Sequence, residues 1–166
     1  SKSDIYPLVD SNDILLINLA RIVQQKGILE LVYASKIVIG RLKNIKFIVF
    51  GDVLNDDELN GKDLLYRNTV ISTIKELNIE DNFYILPRTD ESLIYLKSAD
   101  IFISTSYGEG FSLSLIEAMM LEIPIIASNV TGNNDAIDHN INGLLVDPMN
   151  INDISNTILK LALDKD

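Results

Sequence analysis

Short apolar runs alternate along the chain with longer stretches in which apolar residues recur every three or four positions. The runs at 14–19, 46–50, 83–86, 100–104, 124–127 and 143–146 predict six strands. They are apolar at nearly every position, as expected when helices cover both faces of a parallel sheet. Ile28, Leu31, Val32 and Ser35 predict a first helix after the first strand. Further helical patterns run from about 63 to 77, from near Phe111 to about Leu121, and onward from about Ile151. The cluster Ile37, Val38 and Ile39 is β-branched and weighs against the first of these helices. The alternation implies right-handed strand–helix–strand units in an α/β, doubly wound, Rossmann-like layer of about six strands.

Composition narrows the partners. The 166 residues fit one domain, with 1–12 read as a linker or cloning remnant and 13–166 as the folded unit. The net charge of −10 repels a phosphate backbone, so nucleic acid is not expected as a partner. The same charge disfavours anionic lipid, leaving any membrane contact to another domain. No cysteine is present, which suits a reducing cytoplasm. The apolar stretch 28–42 is interrupted by Glu30, Lys36 and Arg41 and is too short to span a bilayer.

Two loops carry polar residues that the core does not need. One follows the first strand and holds Arg21 and Lys26-Gly27; the other follows the fourth and holds Ser106-Tyr107-Gly108-Glu109-Gly110-Phe111-Ser112. In the strand order 3-2-1-4-5-6 these strands are neighbours where the winding reverses, and ligands bind at their carboxyl ends. Arg21 and Lys26 suit phosphate oxygens. Gly108 and Gly110 permit close backbone approach and unusual dihedrals. The helix that follows offers unpaired amides and a positive dipole end. Glu109 and Glu117 supply acceptors for hydroxyl groups. At about 1.5 Å rise per residue, Ser112 to Glu117 climbs roughly 7–8 Å, which sets the two carboxylates on opposite sides of a bound diphosphate. This is the chemistry of a sugar diphosphate site.

The stretch Glu109-Gly110-Phe111-Ser112-Leu113-Ser114-Leu115-Ile116-Glu117 resembles the E-x7-E motif of retaining glycosyltransferases of the GT-B fold, family GT4 (glycosyl transferases group 1). Arg21 with Lys26-Gly27 resembles that family's R-x4-K-G motif, and the stretches 124–132 and 140–146 also follow its pattern. The resemblance implies that 13–166 is the C-terminal, nucleotide-sugar-binding half of a two-domain enzyme, its acceptor held by a missing N-terminal domain. It implies Arg21 and Lys26 on the donor diphosphate, and Glu109 on the sugar hydroxyls. Arg21, Lys26 and Glu109 would thus carry catalysis. It further implies the backbone of Gly110, Phe111 and Ser112 on the distal phosphate, Glu117 on the ribose, and Leu86-Pro87-Arg88 near the base. A UDP-sugar is the expected donor, with no metal and no bound cofactor, in the cytoplasm.

The sequence departs from the family at Val53, Ser112, Ser114 and Asp135, none of which removes a charge assigned to the site. Blander readings compete. Ser114-Leu115-Ile116-Glu117 also fits a capping box, which would make Glu117 structural. Gly51-Asp52 reads as only a turn, His139 as a solvated turn residue, and Asp56, Asp57 and Glu58 as a solvated loop rather than a calcium site. At the level of function, the alternatives are a sugar-nucleotide epimerase of the same fold and a catalytically idle binding module.

Overall fold

A computed structural model describes residues 8–52, 59–110 and 112–164. Its strands are β1 (Ile14–Leu19), β2 (Ile45–Asp52), β3 (Phe83–Pro87), β4 (Ile101–Ser104), β5 (Ile125–Ser128) and β6 (Leu144–Val146). They form one sheet in the order β3-β2-β1-β4-β5-β6, and every pairing is parallel. The helices among the described residues are α1 (Ile28–Arg41), α2 (Gly61–Glu76), α3 (Ser92–Leu96), α4 (Leu113–Met120) and α5 (Ile151–Leu163). The winding reverses between β1 and β4, which pair Leu16 with Ile101 and Ile17 with Phe102. This is the doubly wound order expected from the sequence.

Side-chain alternation along the strands builds the two layers. Leu16, Phe47, Val49, Ile101 and Ile103 share one apolar cluster with Leu31, Val32 and Val38 of α1, Val70 and Ile74 of α2, and Ile154 and Ile158 of α5. Leu15, Ile17, Ile48, Phe50 and Phe102 share the other with Leu96 of α3 and with Leu115 and Ala118 of α4. Val38 and Ile39 are buried within α1, so the β-branched run is helical because packing outweighs local propensity. None of these helices is long and apolar enough to cross a membrane.

Four local features differ from the sequence reading or add to it. Gly51-Asp52 closes β2 rather than forming only a turn, because Asp52 is held there by Arg67 of α2 through paired bonds of 2.6 and 2.9 Å. Helix α3 has no counterpart in the sequence pattern. Its five residues are fixed by Leu96, which is fully buried, and by Tyr95, whose ring lies 4.5 Å from that of Phe50. Val9, in the stretch set outside the folded unit, packs into the second cluster. His139 is exposed, and its Nδ1 accepts the Leu145 amide at 2.9 Å. Val53 and the acidic residues Asp56, Asp57 and Glu58 lie outside the described residues.

Candidate functional site

The loops after β1 and β4 meet at the carboxyl end of the sheet. The first passes through a 3₁₀ turn at Gln24–Lys26 that ends on Gly27, with φ +61°. A side chain at Gly27 would run into the Thr105 carbonyl, so only glycine lets the turn lie against the second loop. Hydrogen bonds to backbone carbonyls then join the two. The Tyr107 amide donates to the Gln25 carbonyl at 2.9 Å, Thr105 Oγ1 donates to the Gly27 carbonyl at 2.9 Å, and Gln25 Nε2 donates to the Gly108 carbonyl at 3.2 Å.

This junction brings Lys26 onto Glu109. The Lys26 Nζ lies 2.6 Å from Glu109 Oε1, with the side chains only 20% and 12% exposed. Ser106 Oγ donates to the same oxygen at 2.6 Å. Beneath them runs a buried chain: Asn133 Nδ2 donates to the Ser128 carbonyl at 2.9 Å, and Ser128 Oγ to the Ser106 carbonyl at 2.6 Å. Glu109 is therefore held by Lys26 and Ser106 before any ligand arrives, and Ser106 is itself braced by Ser128. The backbone strain sits elsewhere than the sequence suggests. Gly108 and Gly110 do not adopt positive φ, whereas Gly132 does, at +92°. A side chain at Gly132 would overlap the carbonyls of Glu109 and Gly110, so Gly132 is what admits that backbone. Burial, and after it the Glu30 carboxylate, push the Tyr107 hydroxyl above its ordinary range.

The second carboxylate faces a different neighbour. Helix α4 starts at Leu113 with Ser112 as its cap, the Ser112 hydroxyl accepting from the Leu115 amide at 3.4 Å. Ser114 lies inside the first turn, so the capping box read at Ser114 and Glu117 does not form. Glu117 Oε2 instead accepts from Ser92 Oγ of α3 at 3.0 Å. Glu109 and Glu117 thus engage opposite sides, one towards the β1 loop and one towards α3. Phe111 lies outside the described residues.

Arg21 and Arg88 are exposed and border the same hollow. One cavity of about 130 Å³ is lined by Arg21, Gly51, Asp52, Arg67 and Arg88 among others. Another of about 210 Å³ shares Arg21, Gly51 and Arg88 and adds Phe50, Thr89 and Ser92. A larger hollow of about 530 Å³ opens at the other end of the sheet, near Ile125, Ile141 and Leu144. The smaller pair is the candidate site, because Arg21 and Arg88 border both, Ser92, which bonds Glu117, lines the second, and ligands of such sheets bind at the strands' carboxyl ends. Of the residues singled out in the sequence, Lys26, Glu109, Gly110, Ser112 and Glu117 gather around α4, and Arg21 and Arg88 border the adjoining cavities. Ser92 and Asn133 were not singled out, and Ser106, Ser128 and Gly132 fell within named stretches but were given no role. Ser106 carried a local signal as the start of the polar run three residues before Glu109, and Ser128 and Gly132 carried one through the family-like stretch 124–132.

Comparison with known proteins places the chain in a family. The model of the family Glycosyl transferases group 1 matches residues 6–166. The capsular polysaccharide biosynthesis glycosyltransferase CapM of Staphylococcus aureus is 28% identical over 145 residues, covering 87% of this chain and 36% of CapM. Poly(ribitol-phosphate) alpha-N-acetylglucosaminyltransferase of S. aureus (strain COL) is 30% identical over 146 residues, covering 87% of this chain and 27% of the relative. Among solved structures, a variant of S. aureus TarM in complex with fondaparinux, alpha-GlcNAc-glycerol and UDP superposes with a TM-score of 0.78 at 26% identity. That match covers 94% of this chain and 30% of TarM. This chain thus spans roughly a third of the length of these relatives.

Proposed function

Since the chain belongs to the glycosyl transferases group 1 family, we propose that it is the donor-binding, C-terminal domain of a retaining glycosyltransferase. It takes a nucleoside diphosphate sugar, a UDP-sugar foremost, and the acceptor is held by an N-terminal domain beyond this sequence. Such an enzyme acts in the cytoplasm, with any membrane contact made through the other domain. The observation that carries the reading is the meeting of Lys26 and Glu109 across the β1 and β4 loops. A cation and a carboxylate side by side shortly before α4 support a site for a diphosphate and sugar hydroxyls. The UDP in the TarM complex, bound by a relative of the same fold, supports the choice of nucleotide.

In mechanism, Arg21 and Lys26 bind the diphosphate, and the amide end of α4 at Ser112 adds its dipole. As the bond from sugar to diphosphate breaks, negative charge grows on the departing phosphate. Fixed cations and amides stabilise that charge without reorganising. Glu109, released from Lys26, accepts from the sugar hydroxyls. Glu117 accepts from the ribose, and the segment ending at Arg88 lies near the base. A titration of UDP against uridine tests this. UDP binds more tightly, and the gap narrows as salt is added, because the extra affinity comes from phosphate charge. Equal affinity for the two would overturn the reading.

A further inference from the structure

Helix α3 has only five residues, packs on the sheet through Leu96, and presents a hydroxyl to a candidate site carboxylate. Ser92 begins the helix, and its Oγ donates to Glu117 Oε2 at 3.0 Å. Ser92 also lines the cavity of about 210 Å³ bordered by Arg21, Arg88 and Thr89. The helix is anchored on its other side by Leu96 and by the Tyr95 ring on Phe50, which fixes the backbone that carries the hydroxyl. We propose that Ser92 is a positioning residue: it fixes one oxygen of Glu117 and turns the other towards the ribose hydroxyls of the bound nucleotide. Through this contact α3 sets the preference for a ribose over a sugar without hydroxyls. The inference rests on the donor-domain reading and deepens it at one residue.

A carboxylate on a helix surface explores several rotamers, and a hydroxyl donor to one oxygen selects among them. Losing that donor leaves Glu117 charged and present but no longer aimed. The test uses UDP and 2′,3′-dideoxyuridine diphosphate, titrated into the wild type and into Ser92→Ala, Ser92→Thr and Glu117→Gln. The wild type favours UDP. Ser92→Ala narrows the ratio about fivefold while leaving the dideoxy affinity unchanged, an effect of the size of one weakened hydrogen bond to a charged group. Ser92→Thr, which keeps the hydroxyl, restores the ratio, and Glu117→Gln narrows it independently of α3. A purely structural role for Ser92 lowers the melting temperature or both affinities together without moving the ratio, and that result overturns the proposal. The failures separate. No UDP binding by the wild type sinks the donor-domain reading, and equal binding of the two nucleotides sinks the ribose role of Glu117. An unchanged ratio in folded Ser92→Ala sinks the role of Ser92 alone.

Discussion

Replacing Lys26 with Ala takes the counter-ion from a carboxylate already largely withdrawn from water. At 2.6 Å and an effective dielectric of about 20, two unit charges attract by roughly 6 kcal/mol. Most of that is offset by the desolvation of both groups. The net cost of breaking a pair runs from about 0–1 kcal/mol at a surface to about 3–5 kcal/mol when fully buried. Side-chain exposures of 20% and 12% place this pair between those limits. The Ser106 hydroxyl, 2.6 Å from the same oxygen, keeps Glu109 from being left bare. We therefore expect Lys26→Ala to cost about 2 kcal/mol, which for a domain of this size lowers the melting temperature by about 4–8 °C. The assay is a double-mutant cycle by urea denaturation with Lys26→Ala, Glu109→Gln and both together, and the expected coupling is about 1–2 kcal/mol. The same variants separate the two roles of Lys26. Lys26→Ala weakens UDP binding about tenfold or more, the loss of a charge-assisted bond to phosphate. Glu109→Gln spares UDP binding, because it frees Lys26 for the diphosphate. A coupling below about 0.3 kcal/mol, within ordinary additivity, would refute the ion-pair argument. Unchanged UDP affinity in Lys26→Ala would remove Lys26 from the phosphate site.

Other variants probe the scaffold. Ser112→Ala should cost about 0.5–1 kcal/mol, the low half of the capping range because the bond is long, while Ser114→Ala costs less. Denaturation of the two variants side by side decides between the caps, and the reverse order would restore Ser114. Gly132→Ala should destabilise by about 3 kcal/mol or more, since positive φ and overlap with the Glu109 and Gly110 carbonyls act together. A stability loss under about 1 kcal/mol would show that this backbone yields cheaply. Alkaline pH should destabilise the fold. Tyr66, Tyr84 and Tyr107 all hold their protons more tightly folded than unfolded, chiefly through burial. Above pH about 10 the unfolded chain releases protons that the folded one keeps, so their contribution is full below that value and lost as pH rises. Urea midpoints measured from pH 8 to 11 should fall less steeply for Tyr107→Phe, and parallel slopes would contradict this.

What the sequence determined by itself was the architecture and the two loops that carry the candidate site. Six apolar runs alternating with helical patterns imposed a parallel sheet, because strands buried on both faces can be apolar throughout. Polar, glycine-bearing loops after β1 and β4 marked the carboxyl-end crevice at the reversal of winding, and the motif spacing put Glu109 and Glu117 eight residues apart. What only the tertiary structure decided was who holds whom. Lys26 and Glu109 are separated by 83 residues and Ser92 and Glu117 by 25, so no local period encodes either contact. Helix α3 was illegible because five residues are too few to display a helical repeat, and its place is set by Leu96 and Tyr95 on the far side. The constraint at Gly132 was equally hidden. Its demand for glycine comes from the Glu109 and Gly110 carbonyls that the fold brings against it, and a crowded backbone leaves no periodic trace in the residues beside it. Local patterns report which face of an element is apolar. The partners of a polar side chain depend on the path of the whole chain, and that path is fixed only when both layers have packed on the sheet.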